Sequence, residues 1–234
     1  MRINKYIQSS GIASRRKADE LVEKGKVKVN GALMTSPGYD VKEGDTVTVN
    51  GEVIGNFEKL SYYLLNKPIG IVTTVSDDKD RMTVIDLMDD ITVRLYPVGR
   101  LDYNTSGALI MTNDGELANH ITHPRHEIYK TYRAKVNGFF NEEKAKILRK
   151  GVKLPEYTAK PAKVNIIKQE KATSLIEVSI AEGKYHEVRD MLKEVGTPVI
   201  ELERIAIGNI KLGRLLPGHY RKLTREEIEY LKNA

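Results

Sequence analysis

Apolar and polar positions along this 234-residue chain change period several times, and each change marks an element. Ile3, Tyr6 and Ile7 recur at helical spacing until Ser10-Gly11 stops the pattern. Ser14 then stands as N-cap to a second helix, whose Ala18, Leu21 and Val22 form an apolar stripe closed by Gly25. The period drops to two where Val27 and Val29 alternate with Lys26 and Lys28, and Asn30-Gly31 is the strongest two-residue hairpin signal. Val47-Thr48-Val49 supplies a further strand after the Gly44-Asp45 turn. Gly51–Leu60 is weakly patterned and reads as a linker.

Beyond it, Tyr62–Leu65 is an apolar strand turned by Asn66-Lys67-Pro68-Ile69-Gly70, and the β-branched run Ile71–Val75 reads as its return. Leu95–Val98 is extended, and Ala108–Met111 is a second buried strand. Asn113 or Asp114 caps a helix carrying Leu117, Ala118 and Ile121. Tyr129–Val136 alternates cleanly, with Lys130, Tyr132, Ala134 and Val136 on one face and Thr131, Arg133 and Lys135 on the other. Asn141 caps a helix through Arg149, and Ala162–Lys168 and Ser174–Ile180 are strands. The stretch from Glu182 to Leu192 opens a helix whose stripe is Val188, Met191, Leu192 and Val195, with Arg189 at its boundary. Strands over Val199–Ile207 and Ile210–Leu216 follow, and Thr224-Arg225-Glu226-Glu227 is a capping box for a last helix. The first sixty residues make a compact α+β module, and the strand-rich pattern beyond them agrees with antiparallel connectivity.

Composition narrows the chemistry. With no Cys, disulfides, thiolate zinc sites and cysteine nucleophiles are excluded, and a cytoplasmic location is expected. No apolar run approaches the ~20 residues of a membrane span, and the first residues lead into no signal-peptide core. The net charge of +6 is unevenly placed: residues 1–31 carry eight Lys/Arg against three acids, whereas 32–60 carry two against five. Such a patch suits a polyanion, and Arg15 and Arg16 would add charge to the free backbone donors of a helix start. A solvated charged face accounts for the charge equally well.

One loop concentrates candidate chemistry: Pro97-Val98-Gly99-Arg100-Leu101-Asp102-Tyr103-Asn104-Thr105-Ser106-Gly107 holds one carboxylate and one guanidinium between two apolar strands. In isolation it also fits a hairpin whose Asp and Asn bond only their own backbone. Asp77, Asp78 and Asp80 invite a hard cation, but Lys79 and Arg81 intervene and a solvated loop is the expectation. His120, His123 and His126 are spaced three apart, yet Pro124 prevents them from sharing a helical face, so no metal is expected there.

Gly99-Arg100-Leu101-Asp102-x-x-Thr105-Ser106-Gly107 resembles the active-site motif of pseudouridine synthases, specifically the ribosomal-RNA (RsuA/RluB-like) family. Three further strings are similar to that family's motifs and stand in its order: Asn66-Lys67-Pro68-x-Gly70, Lys130-Thr131-Tyr132-x-x-x-Val136, and Glu182-Gly183 through Val188-Arg189-x-Met191. Ile12–Arg16 together with Gly25–Gly31 resembles the S4-like RNA-binding domain. The resemblance implies an S4-like domain over 1–59 and a catalytic domain over 60–234 with a mostly antiparallel central sheet. It implies an isomerase that turns uridine in ribosomal RNA into pseudouridine, without metal or cofactor.

The resemblance further implies three catalytic residues: Asp102 as nucleophile or base, Tyr132 stacked near the flipped uracil, and Arg189 paired with Asp102. It implies RNA contacts at Ser14, Arg15, Arg16, Lys17, Lys26 and Lys28, with Lys67, Arg100 and Lys130 as further phosphate or carboxylate partners. Glu187 stands where the family's motif most often has Gln. The loop around Asp102 is more similar to large-subunit enzymes, whereas Tyr185-His186 resembles small-subunit ones. The expected partner is ribosomal RNA or an assembly intermediate, met by a monomer with no membrane association. The competing readings are a non-catalytic RNA-binding or ribosome-assembly factor, and a metal-dependent nuclease or hydrolase using Asp77, Asp78, Asp80 and nearby His.

Overall fold

Side-chain caps at Ser14, Asp114, Asn141 and Thr224 start four of the six α-helices where the sequence placed them. The computed structural model describes residues 1–234 as two units, Met1–Leu60 with Thr92–Arg94, and Ser61–Ile91 with Leu95–Ala234. In the first unit, α1 (Ile3–Ser9) is followed by α2 (Arg15–Glu23), whose N-cap Ser14 accepts a hydrogen bond from the Lys17 N–H at 3.2 Å. Four short strands follow: β1 (Val27–Val29), β2 (Ala32–Leu33), β3 (Val47–Val49) and β4 (Glu52–Ile54). They form one antiparallel sheet in the order β2-β1-β3-β4. Asn30 and Gly31 make the β1–β2 turn with φ of 51° and 80°, values that Asn and Gly adopt at little cost. Ile3, Ile7, Ala18, Val22, Val27, Val29 and Val47 pack together as this unit's core. The weakly patterned Gly51–Leu60 is therefore not all linker, because β4 pairs with β3 throughout its length.

The second unit is built on a nine-stranded sheet. Its elements are β5 (Tyr62–Lys67), β6 (Tyr96–Pro97), β7 (Ser106–Thr112), α3 (Gly115–Thr122), β8 (Lys130–Asn137), α4 (Glu142–Lys150) and the small β9 (Val152–Lys153) and β10 (Thr158–Ala159) pair. They continue as β11 (Lys163–Gln169), β12 (Thr173–Ile180), α5 (Glu187–Glu194), β13 (Val199–Ile207), β14 (Ile210–Lys211), β15 (Tyr220–Lys222) and α6 (Arg225–Asn233). The strand order is β11-β12-β8-β13-β7-β5-β15, with β14 on β13 and β6 on β7. Every pairing is antiparallel except one, the short parallel contact of β13 with β7. Helices α3 and α6 cover one face, where Leu64, Ala108, Ile110, Leu117, Ile121, Ile207 and Leu231 form a core cluster. Leu65, Leu109 and Met111 are buried on the opposite face, so β5 and β7 run through the interior with both sides covered. This is why Ala108–Met111 reads as a continuous apolar run rather than an alternation.

Two expected strands differ. Ile71–Val75 contributes only a single bridge, Val72 to Thr83, because its Thr73 hydroxyl is used to hold the neighbouring Leu101 backbone. The expected Ile210–Leu216 strand is reduced to Ile210–Lys211, after which Leu212–Leu215 turns.

Gly107 marks the tightest backbone approach in the sheet. Its φ is +111°, and a Cβ built there would lie 2.2 Å from the Arg204 carbonyl oxygen and 2.7 Å from its nitrogen. No side-chain adjustment relieves a clash with backbone. Gly107→Ala is therefore expected to destabilise the protein by at least ~3 kcal/mol, read as a lowered midpoint in urea unfolding. An unchanged midpoint would show that β7 and β13 can part without cost.

Candidate active site

The loop between β6 and β7 is held from several sides. Thr73 Oγ1 donates to the Leu101 carbonyl at 2.7 Å, and the Gly70 N–H donates to the Tyr103 carbonyl at 2.8 Å. A tight turn closes with Thr105 N–H on the Asp102 carbonyl at 3.1 Å. Arg189, from α5, donates through Nη2 to the Asn104 carbonyl at 2.9 Å and to Thr105 Oγ1 at 3.1 Å. Arg204, from β13, donates through Nε to the Ala108 carbonyl at 2.6 Å and through Nη1 to the Arg100 carbonyl at 3.5 Å. The Asp102 backbone is thus fixed from several elements at once.

Asp102 points into a cavity of about 300 Å³ whose wall includes Lys130, Tyr132, Glu187, Arg189 and Arg204. All three residues expected to be catalytic line this one cavity, although they lie on a loop, a strand and a helix far apart in sequence. Tyr132 is buried on β8, and its hydroxyl accepts from Arg204 Nη1 at 3.4 Å. The expected Asp102–Arg189 ion pair is not formed. Arg189 Nη2 is taken up by the loop's own carbonyl and hydroxyl, its buried Nε has no partner, and it feels Asp102 only as a nearby negative charge. The side chain nearest the Asp102 carboxylate is instead His186, with Nε2 3.8 Å from Asp102 Oδ2.

The surrounding charges are mostly buried cations. Lys67 is fully buried at the end of β5, where Nζ donates to the Pro68 and Ile71 carbonyls at 2.9 Å each. Burial brings its ammonium down to about 8, with Arg204 lowering it further and Asp102 opposing. Lys130 is also brought down to about 8 by burial and by Arg204, against the pull of Glu187. Burial raises the Glu187 carboxyl, and the Lys184 N–H that donates to it at 2.9 Å counters the rise. Arg189 is lowered by burial and held up by Asp102.

Lys67, expected as an RNA contact, has no surface through which to reach a phosphate, so its role is internal. Arg100 is exposed at the cavity mouth, where a phosphate can reach it. In the N-terminal unit, Arg16, Lys26 and Lys28 are exposed. Arg15 contacts Asn4 Oδ1 at 3.4 Å, Lys17 pairs with Glu20 at 3.2 Å, and the Ser14 oxygen is taken up as the N-cap. The acidic run around Asp77 is an Arg81 clamp, with Asp77 accepting from Arg81 Nε at 3.0 Å and Nη2 at 2.6 Å. Of the spaced histidines, His120 binds the Ala234 carbonyl at 2.7 Å and stacks on His126.

Sequence reasoning missed Arg204, the residue that bridges loop, β7 and Tyr132. A signal was present: Leu202, Arg204 and Ala206 alternate inward along β13, which puts an arginine at a core position.

Similarity to known proteins agrees with this geometry. Residues 61–194 match the sequence model of the RNA pseudouridylate synthase family, and residues 1–47 match that of the S4 domain. The chain belongs to the RNA pseudouridylate synthase family. It is 43% identical over 99% of its length to a protein of Bacillus subtilis named ribosomal large subunit pseudouridine synthase B, of which it covers 95%. It is 44% identical to an uncharacterised RNA pseudouridine synthase of Aquifex aeolicus over 100% of this chain and 94% of that protein. The crystal structure of a pseudouridylate synthase superposes with a TM-score of 0.72 at 31% identity, covering 99% of both chains. The fold is shared with the archaeal Nop10–Cbf5 complex, at a TM-score of 0.52 and 19% identity over 73% of this chain and 53% of that one. As a pseudouridine synthase, the protein is an isomerase, and its family motifs all fall on the cavity described above or on the elements that brace it.

The buried Lys67 gives a stability test with a definite sign. Its folded-state value of about 8 lies below the ~10.4 of an unfolded chain. Between these limits the unfolded state holds more protons, so wild type gains stability as pH rises through that window. Lys67→Met lacks this gain. The difference in unfolding free energy between wild type and variant should move in favour of wild type by on the order of 1–3 kcal/mol from pH 7 to 10, measured by urea titration. A pH-independent difference would mean that the ammonium is not desolvated.

Proposed function

We propose that this protein converts a uridine of large-subunit ribosomal RNA to pseudouridine, with Asp102 as the group that reacts with the nucleoside. The observation that carries the reading is a carboxylate presented into a 300 Å³ cavity from a loop fixed by Arg189, Arg204, Thr73 and Gly70. The large-subunit assignment rests on the full-length similarity to the Bacillus subtilis protein of that name.

The reaction breaks the N1–C1′ bond, turns the uracil in place and joins C5 to C1′, with the C5 proton leaving last. Asp102 either bonds to C1′ as N1 departs or removes the C2′ proton to give a glycal, and both routes use its ionised form. Tyr132 offers a ring face to the loose base and a hydroxyl for proton transfer at C5. Arg189 is a positioning residue in this scheme, acting through the loop that carries Asp102. The isomerisation has no net redox change and calls for no electron carrier. The target uridine must leave its stack, at a cost of a few kcal/mol that favours loops or locally opened RNA.

Residues 1–59 serve as an RNA-holding module and 60–234 as the catalytic one. Arg16, Lys26, Lys28 and, in the second module, Arg100 supply phosphate contacts that orient the RNA without reading its sequence. In this reading the enzyme works as a monomer in the cytoplasm, and its substrate is the RNA or an assembly intermediate that carries it.

Two experiments test this. With large-subunit ribosomal RNA tritiated at uracil C5, wild type should release tritium and Asp102→Ala should be slower by at least ~10³-fold while binding the RNA within about twofold. Release at the wild-type rate by Asp102→Ala would remove the assignment. For the first module, Arg16→Glu combined with Lys28→Glu should weaken RNA binding and flatten its log–log salt dependence by roughly one unit per lost phosphate contact. Filter binding from 50 to 200 mM salt reads this slope, and an unchanged slope would place the phosphates elsewhere.

A further inference from the structure

Beside the uridine cavity lies a second, shallower groove that the reaction scheme leaves unused. Asp102 forms its inner end, and Arg81, Arg100, Tyr103, Tyr185 and His186 stand around it. Tyr185 and His186 are consecutive in the chain, yet their rings lie nearly parallel, with centroids 3.8 Å apart and planes 16° from each other. His186 reaches this position at φ +55°, a left-handed conformation uncommon outside glycine though tolerated by histidine. Its Nε2 is 3.8 Å from Asp102 Oδ2, so the stack leads directly to the reacting carboxylate. At the outer end Tyr185 is 72% exposed, the highest value among the exposed large hydrophobic and aromatic side chains, just above Val53 at 71%.

A ring so exposed adds little to the core, and here it is offered flat at the rim of an active cavity. The groove also carries Asp77, Asp78 and Asp102, of which Asp77 is neutralised by its two bonds from Arg81, and Arg100 is the exposed cation on its wall. We infer that Tyr185 and His186 form a stacking subsite for a second nucleobase of the substrate RNA, next to the flipped uridine. The base lies on the free face of Tyr185, making a three-ring stack that ends at Asp102, while Arg100 meets the connecting phosphate. Every base has a π face, so the subsite fixes the strand's position with little regard to sequence. This inference rests on the ribosomal-RNA synthase reading above.

The test uses C5-tritiated large-subunit ribosomal RNA and three proteins: wild type, Tyr185→Ala and Tyr185→Phe. Loss of one base–aromatic stack should raise KM about tenfold in Tyr185→Ala with kcat little changed, and Tyr185→Phe should restore it, since the ring face and not the hydroxyl is used. Ultraviolet irradiation of the wild-type complex, followed by mass spectrometry, should map a nucleotide adduct to Tyr185. If Tyr185→Ala lowers kcat at constant KM, Tyr185 only braces His186 and the subsite is overturned. Wild-type KM in Tyr185→Ala, with no adduct at Tyr185, also overturns it while leaving the synthase reading intact. Absence of tritium release from wild type itself would overturn that reading and the subsite with it.

Discussion

The site depends on how closely β7 and β13 approach at Gly107 and Arg204. This is the only parallel contact in an otherwise antiparallel sheet, and it lies where a Cβ on residue 107 would sit 2.2 Å from the Arg204 carbonyl oxygen. Because the backbones come this near, the Arg204 side chain can reach past Gly107 to the Ala108 carbonyl and on to that of Arg100. The same side chain touches the Tyr132 hydroxyl on the strand at its other side. One arginine therefore sets the spacing between the loop that carries Asp102 and the aromatic ring across the cavity. A buried arginine keeps its charge and its fork of donors, so backbone carbonyls can be held in a fixed geometry.

Much of the local structure was legible because it follows from nearest-neighbour chemistry. Ser14, Asp114, Asn141 and Thr224 each cap a helix as their side chains dictate, and the period-two alternation of β8 and β12 survives intact in their burial. Motif order also placed Asp102 and Tyr132 together, and both line the one cavity. The parallel β7–β13 contact was not, since it joins segments 96 positions apart at the Arg204–Ala108 bond and no periodicity records a partner that distant. Ile71–Val75 misled for a related reason: β-branched composition favours a strand, but tertiary demand turned Thr73 into a clamp for the loop opposite.

The role of Arg189 shows where motif reasoning stops. The motif places an arginine beside the catalytic loop, and the structure agrees on the neighbourhood. It differs on the contact, because the guanidinium bonds the Asn104 carbonyl and the Thr105 hydroxyl rather than the Asp102 carboxylate. A carboxylate bound bidentately by arginine would be a poor nucleophile, with its lone pairs already engaged. Arg189 set on the backbone supplies positive potential and rigidity while leaving the Asp102 oxygens open to a substrate.

Glu187 completes the electrostatic account. Lys130, Arg189 and Arg204 line the cavity and Lys67 is buried close enough to feel Asp102 and Arg204, and burial works against the charge on both lysines. Asp102 offsets the cost for Lys67, and Glu187 does so for Lys130. A glutamine at this position, as the motif more often has, would still accept the Lys184 N–H through its amide oxygen, but it would leave Lys130 without a negative neighbour. Because the Glu187 carboxyl is itself raised by burial and lowered by Lys130, each member of the pair sustains the other's charge. The departure at residue 187 is thus a local compensation that keeps a buried ammonium charged beside the cavity, within the same β8 segment that carries Tyr132.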